Sequence, residues 1–284
     1  MAKHDPVSAL AEEDATGNIA EIFEDIRQTM RLPLLTSIWR ILAADEAALE
    51  AVWQATKPIF ESGLPEEILL DLKAGPLPIP PALVPSQLEA AGLTQRDRTS
   101  IQQILNVYNR SNSLNFLTLS ALIAQPIGPA LPATSPPAFS SANTNPVNTN
   151  VALPRLPTEA DLPPKLWQFL YELNKFGAAP DEPGLATVWR HLAHWPGFLA
   201  VTHAAFAPLQ NQGTIADCIH SMLTFAAANA GRMSHTKNTK IQIPAAAQQT
   251  ISRYITHPGL VVRMVAIGLG LSSWLDRIHN PAQP

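Results

Sequence analysis

The segment from Pro33 to Ala43 (PLLTSIWRILA) returns 150 positions later as Pro183 to Ala193 (PGLATVWRHLA). Six of the eleven residues are identical, and the pairs Ser37/Thr187 and Ile38/Val188 keep side-chain shape. The same offset pairs Pro58-Ile59 with Pro208-Leu209, and Gly63 with Gly213. A repeat of this period is too long for one unit of a solenoid, so it implies a duplicated domain. Two fused copies of an ancestral homodimer would be related by a pseudo-twofold axis, with a pocket expected between the halves.

Between the copies lies a stretch of different chemistry. No charged residue occurs from Ser111 to Pro154, and 10 of the chain's 27 prolines fall between Pro126 and Pro164. A first helical repeat over 1–125, a Pro/Ser/Asn-rich linker over 126–156 and a second helical repeat over 157–284 follow from that composition. Outside the linker the apolar spacing is helical. Ile19, Ile22, Phe23 and Ile26 line one face, with Thr16 before them as an N-cap. Leu35, Ile38 and Leu42 repeat the spacing, as do Leu185, Val188 and Leu192. Asp45 and Pro65 read as helix starts, and Thr94 with Asp97 reads as a capping box. In the second half, helices are expected near 161–176, 185–194, 196–210, 214–230, 244–255 and 260–278. No alternating strand pattern stands out, so the predicted class is all-α: an internally duplicated helical domain forming a pseudo-dimer.

Composition narrows the function classes. The longest apolar run, Leu114 to Ala124, is interrupted by Asn115, Thr118 and Ser120 and is shorter than a spanning helix, so no membrane partner is expected. The polar, acidic start from Met1 to Glu13 lacks the apolar core of an export signal, which favours the cytoplasm. Cys218 is the single cysteine, which excludes an intrachain disulfide or a Cys-x-x-Cys pair. Residues 1–110 carry 16 acids and 9 bases, a balance of −7, while residues 155–284 carry 7 acids and 10 bases, a balance of +3. The basic half has only the loose group Arg232, Lys237 and Lys240, so nucleic acid is not an expected partner.

Three segments carry a family resemblance. The first is Phe23 to Arg27 with Thr29, Arg31 and Pro33, continuing to Arg40, Leu42, Ala43 and Trp53. The second is Gly75 to Pro78 with Ala90 to Gly92, leading to Tyr108, Asn109 and Asn112. The third is Leu192 to Pro196. Together they resemble the group I 2-haloacid dehalogenases, helical, internally duplicated hydrolases that release halide from small 2-halocarboxylic acids. The resemblance implies direct attack by a water molecule that an aspartate deprotonates, with no cofactor and no metal. It places that aspartate seven residues before Trp195, which in this chain is Val188, preceded by Thr187. Valine has no lone pair to accept a proton, so that position cannot supply the base. The remaining pocket positions implied are Asn112, which matches; Thr187, which stands for a serine; and Leu34, Ser37 and Asn115, where aromatic residues are expected. The substrate-binding set is therefore Asn112, Leu34, Ser37, Thr187 and Val188, with a small carboxylic acid as ligand. A non-catalytic helical module binding a small acid or a protein is the alternative.

Other constellations compete with this site. Asp181 could act as a relocated base, although its place before Pro183 also suits a helix cap. His191 and His194 share a spacing that metal ligands use, with Cys218 and His220 nearby in sequence, yet the chain has no His-Glu-x-x-His, and scattered histidines without a metal are favoured. Arg40 and Arg190, each following a tryptophan, could clamp an anion or brace the fold. Asn106, Asn109, Asn112 and Asn115 recur every three residues and suggest a helix junction. A fused pseudo-dimer has less need of a partner copy, which favours a monomer.

Overall fold

The computed structural model describes residues 9–127, 153–179 and 184–279, and among them there are helices and no strand. The first half contains α1 (Gly17–Met30), α2 (Ser37–Leu42), α3 (Glu46–Glu61), α4 (Leu64–Ala74), α5 (Pro85–Ala90) and α6 (Gln95–Ile123). The second contains α7 (Pro164–Asn174), α8 (Thr187–Leu192), α9 (Pro196–Asn211), α10 (Thr214–Met233), α11 (Ala245–Thr256) and α12 (Val261–His279). Short 3-10 turns occupy Glu12–Asp14, Glu159–Asp161 and Ser234–Thr236.

Local chemistry explains where the helices begin. Asp45 precedes α3 and accepts a hydrogen bond from the Ala48 amide at 3.2 Å. Thr94 and Asp97 form the reciprocal box that opens α6. Thr16 does occupy the N-cap of α1, but its hydroxyl makes no capping bond. Helix α4 begins at Leu64, one residue before Pro65, behind Gly63 at φ 74°; Gly213 precedes α10 at φ 80°. Both positions need a left-handed backbone that residues with a Cβ adopt only under strain.

The 150-residue offset extends to these elements. Helices α2 and α8 have six residues each, and α3 and α9 have sixteen each with a proline at the same internal position, Pro58 and Pro208. At the C-terminal ends the halves differ: α6 runs unbroken for 29 residues, about 43 Å at 1.5 Å per residue, whereas α11 and α12 are separated by a turn at 257–260.

Helix α6 is the centre of the molecule. From Ser113 to Leu122 every residue is buried, and the helix packs against α12 and α10 as well as α3, α4, α8 and α11. The buried apolar residues of both halves consequently form one continuous cluster. Helix α12 approaches α6 closely at Gly268, where a Cβ would lie 2.1 Å from Asn109 Oδ1. The stretch Ala245–Arg277 is long and apolar enough to cross a membrane, but 78% of its most apolar window is buried inside this fold, which accounts for its hydropathy.

Candidate functional site

Helix α6 meets the two six-residue helices α2 and α8, and a buried polar junction forms there. On the α2 side, Trp39 Nε1 donates to Asn115 Oδ1 at 2.8 Å. Asn115 Nδ2 in turn donates to Thr36 Oγ1 and to the Ser111 carbonyl. Thr36, Ser111 and Asn115 are all buried, so each satisfied group avoids the desolvation cost of an unpaired one, on the order of 1–3 kcal/mol. The network fixes the register of α2 on α6. It also accounts for the asparagine at 115: its amide bonds both the indole and a hydroxyl.

On the α8 side, Tyr108 Oη lies 2.6 Å from His191 Nδ1, and His191 Nε2 lies 3.0 Å from the Pro154 carbonyl. A carbonyl only accepts, so Nε2 carries the proton and Nδ1 accepts from the Tyr108 hydroxyl. Burial holds the imidazole neutral, its pKa pushed down to about 4; the Pro154 bond opposes that shift, while His194 and Arg190 add to it. Burial also drives the Tyr108 hydroxyl well above the usual phenol range.

Val188 lies three residues before His191 on α8 and Asn112 four after Tyr108 on α6, spacings that keep each pair on one helix face. Asn112 and Val188 thus lie on α6 and α8, the two helices that Tyr108 and His191 join. Val188 is buried, whereas Asn112, Thr187 and Leu34 are half-buried. Ser37, at the start of α2, is exposed. Asp181 lies outside the described residues. The chain on its C-terminal side is anchored by Asn174, whose amide donates to the Gly184 carbonyl at 2.6 Å and accepts from the Ala186 amide at 3.0 Å.

The expected helix junction at the asparagines is absent, since α6 is continuous from Gln95 to Ile123. Its asparagines are tolerated because the chain around them supplies partners: Asn109 donates to the Gly268 carbonyl at 2.9 Å, and Asn106 accepts from Gln102. Nor do the arginines form a common anion clamp. Arg40 donates to the Leu10 carbonyl at 2.7 Å, and Arg190 makes two bonds to the Pro157 carbonyl while lying over the Trp167 ring. Each braces the chain segment that leads into the first helix of its half.

Among the described residues no three His, Cys, Asp or Glu side chains converge to hold a metal ion. His194 donates to the Arg155 carbonyl, and Cys218 Sγ lies 3.1 Å from the Pro76 carbonyl, its thiol pushed up to about 11 by burial. No described carboxylate is fully buried. The most enclosed is Glu66, which pairs with Arg110 at 3.1 Å and is raised by burial. An open cleft of about 560 Å³ lies between α1 and α3, where Asp25 accepts from Trp53 and Lys57. A second, of about 390 Å³, lies beside Lys237, which caps the C-terminus of α6 through the Leu122 and Ala124 carbonyls. Neither cleft includes Val188 or Asn112.

The architecture is that of the D-2-haloacid dehalogenases. A mutant of such an enzyme superposes with a TM-score of 0.72 over 95% of this chain and 96% of its own, at 15% identity. A mutant in complex with D-2-CPA gives 0.71 at 14% identity, and a complex with L-LA gives 0.70 at 14% identity, each over 96% of both chains. In sequence, the chain is similar to an (R)-2-haloacid dehalogenase of Pseudomonas putida, 28% identical over 111 residues. That match spans 37% of this chain and 37% of the relative. No protein-family model matches the chain. The resemblance read from the three sequence segments is thus matched by both a sequence relative and the fold.

Proposed function

We propose that this chain is a 2-haloacid dehalogenase-like protein that binds a small 2-substituted carboxylic acid at the crossing of α6 and α8 and does not hydrolyse it by the carboxylate route. The observation that carries this reading is the buried valine at position 188, where the resemblance places the carboxylate that would deprotonate water. Hydrolysis at a carbon–halogen bond needs a group that takes a proton from the attacking water, and a methyl-terminated side chain cannot do so. Internal duplication of the helical domain is part of the same proposal, supported by the equal lengths of α2 and α8 and of α3 and α9.

Chloride release from D- and L-2-chloropropionate, measured together with calorimetric binding of the same acids, tests the reading. The expected result is binding without release by the parent protein and measurable release by Val188→Asp. Release by the parent that disappears in Asp181→Ala would instead establish a relocated base. Absence of binding by the parent would favour the alternative, a helical module whose ligand is a protein.

A further inference from the structure

Residues 153–157, which form no helix, run beside α8, and side chains from α8 and the turn after it hold three of their carbonyls. His191 Nε2 donates to Pro154 O at 3.0 Å, His194 Nε2 to Arg155 O at 3.0 Å, and Arg190 Nε and Nη2 to Pro157 O at 3.0 and 2.9 Å. Among the described residues, the backbone bonds that tie other loops down do not include this segment. In the first half the corresponding contact is built otherwise: Arg40 holds Leu10 O, and the Leu10 amide bonds back to the Arg40 carbonyl. The positions matching His191 and His194 there are Ile41 and Ala44, neither of which can make such a bond.

We propose that residues 154–157 are an acid-released strap, with His191 as the joint that couples the strap to α6 through Tyr108. The joint works because His191 has two jobs, one on each nitrogen. While Nε2–H holds the strap, Nδ1 must stay unprotonated to accept the Tyr108 O–H. A proton on Nδ1 would face the phenol hydroxyl, which would have to turn its own hydrogen away from its one hydrogen-bond partner among the described residues; Tyr108 is only 7% exposed. Moving the imidazole into water removes the conflict, so the proton and the closed strap exclude one another. The charged and titratable groups around the joint are Arg190 and His194 on α8 and its following turn, Arg155 on the strap, Tyr108 on α6 and Glu12 ahead of α1. The Arg190 guanidinium beside His191 favours opening once the imidazole is protonated. The depressed pKa of His191 agrees with this arrangement.

Tryptic cleavage of the intact protein after Arg155, expressed as protection relative to a free peptide of the same sequence at each pH so that the intrinsic effect of pH on the protease is removed, reads the strap directly. With an open-state pKa near the ordinary 6.5 and a closed-state value of about 4, protection falls about 25-fold between pH 7 and pH 5. His191→Gln keeps a donor for Pro154 O and an acceptor for Tyr108 but does not titrate, so it holds protection level across that range. Tyr108→Phe leaves the strap bonds in place and removes the hydroxyl that a proton on Nδ1 would oppose, so the fall between pH 7 and pH 5 becomes smaller. Unchanged protection in the parent from pH 7 to 5, or an equal fall in His191→Gln, would overturn the proposal.

Discussion

Helices α3 and α9 share sixteen residues' length and an internal proline, yet they begin in opposite ways. Helix α3 starts from Asp45, a side chain that caps its own helix, with Ala47 exposed to solvent in the first turn. Helix α9 starts from Trp195, which caps nothing and instead donates its indole to Asp97 on α6 at 2.9 Å. Where Ala47 stands in the first half, the second has Gly197, and a Cβ there would lie 2.0 Å from the Ala91 carbonyl after α5. One helix start is self-sufficient and the other is finished by the opposite half. Equal backbones therefore conceal unequal tethering: α9 is the arm docked onto the first half.

The sharpest way to break that contrast is to exchange the residues at the matched positions. Gly197→Ala drives a methyl into a backbone oxygen that has no rotamer to move, so α5 and α9 must separate; the expected loss is about 3–4 kcal/mol in urea unfolding. Ala47→Gly, at the equivalent solvent-facing site, costs only about 0.5–1 kcal/mol through helix propensity. Similar losses at the two sites would mean that α9 is not docked as described.

The paired tryptophans give a second, smaller contrast. Trp39 and Trp189 are both fully buried, but Trp39 Nε1 has Asn115 as acceptor while Trp189 Nε1 has no partner among the described residues. Trp39→Phe removes a donor and strands the Asn115 oxygen in the interior, at a cost of about 3 kcal/mol. Trp189→Phe removes a donor that is already unsatisfied, so the lost ring volume is partly offset and the expected cost is about 1.5 kcal/mol. Unfolding midpoints of the two variants check the order; a larger loss at Trp189 would place an acceptor there.

What sequence could reveal followed from how far apart the interacting residues lie. The helix starts at Asp45, Pro65 and Thr94 and the six helices of the second half are local patterns, and each appears within two or three residues of its expected place. The resemblance marked Asn112 on α6 and Val188 on α8 but not the Tyr108–His191 bond that joins the two helices. That bond links positions 83 apart, and the one from Trp39 to Asn115 links positions 76 apart. The asparagines of α6 misled for the same reason: their poor helix propensity is a local signal, and long-range partners such as the Gly268 carbonyl override it. Ser37 and Thr187 look equivalent in the repeat, yet one is exposed and the other half-buried, because side-chain likeness carries no information about what packs on top.

The mildest test addresses the two helix starts themselves. Asp45→Ala deletes the bond to the Ala48 amide and the negative charge at the positive end of α3, an expected loss of about 1 kcal/mol, and Asp45→Ser should recover most of it because a hydroxyl can accept the same bond. If α3 is capped from within and α9 from across the molecule, the Asp45 effect is independent of Asp97, and combining Asp45→Ala with Asp97→Ala gives the sum of the single losses to within about 0.5 kcal/mol. Coupling beyond that margin would show that the two starts communicate through α6, and the contrast between a self-capped arm and a docked one would have to be redrawn.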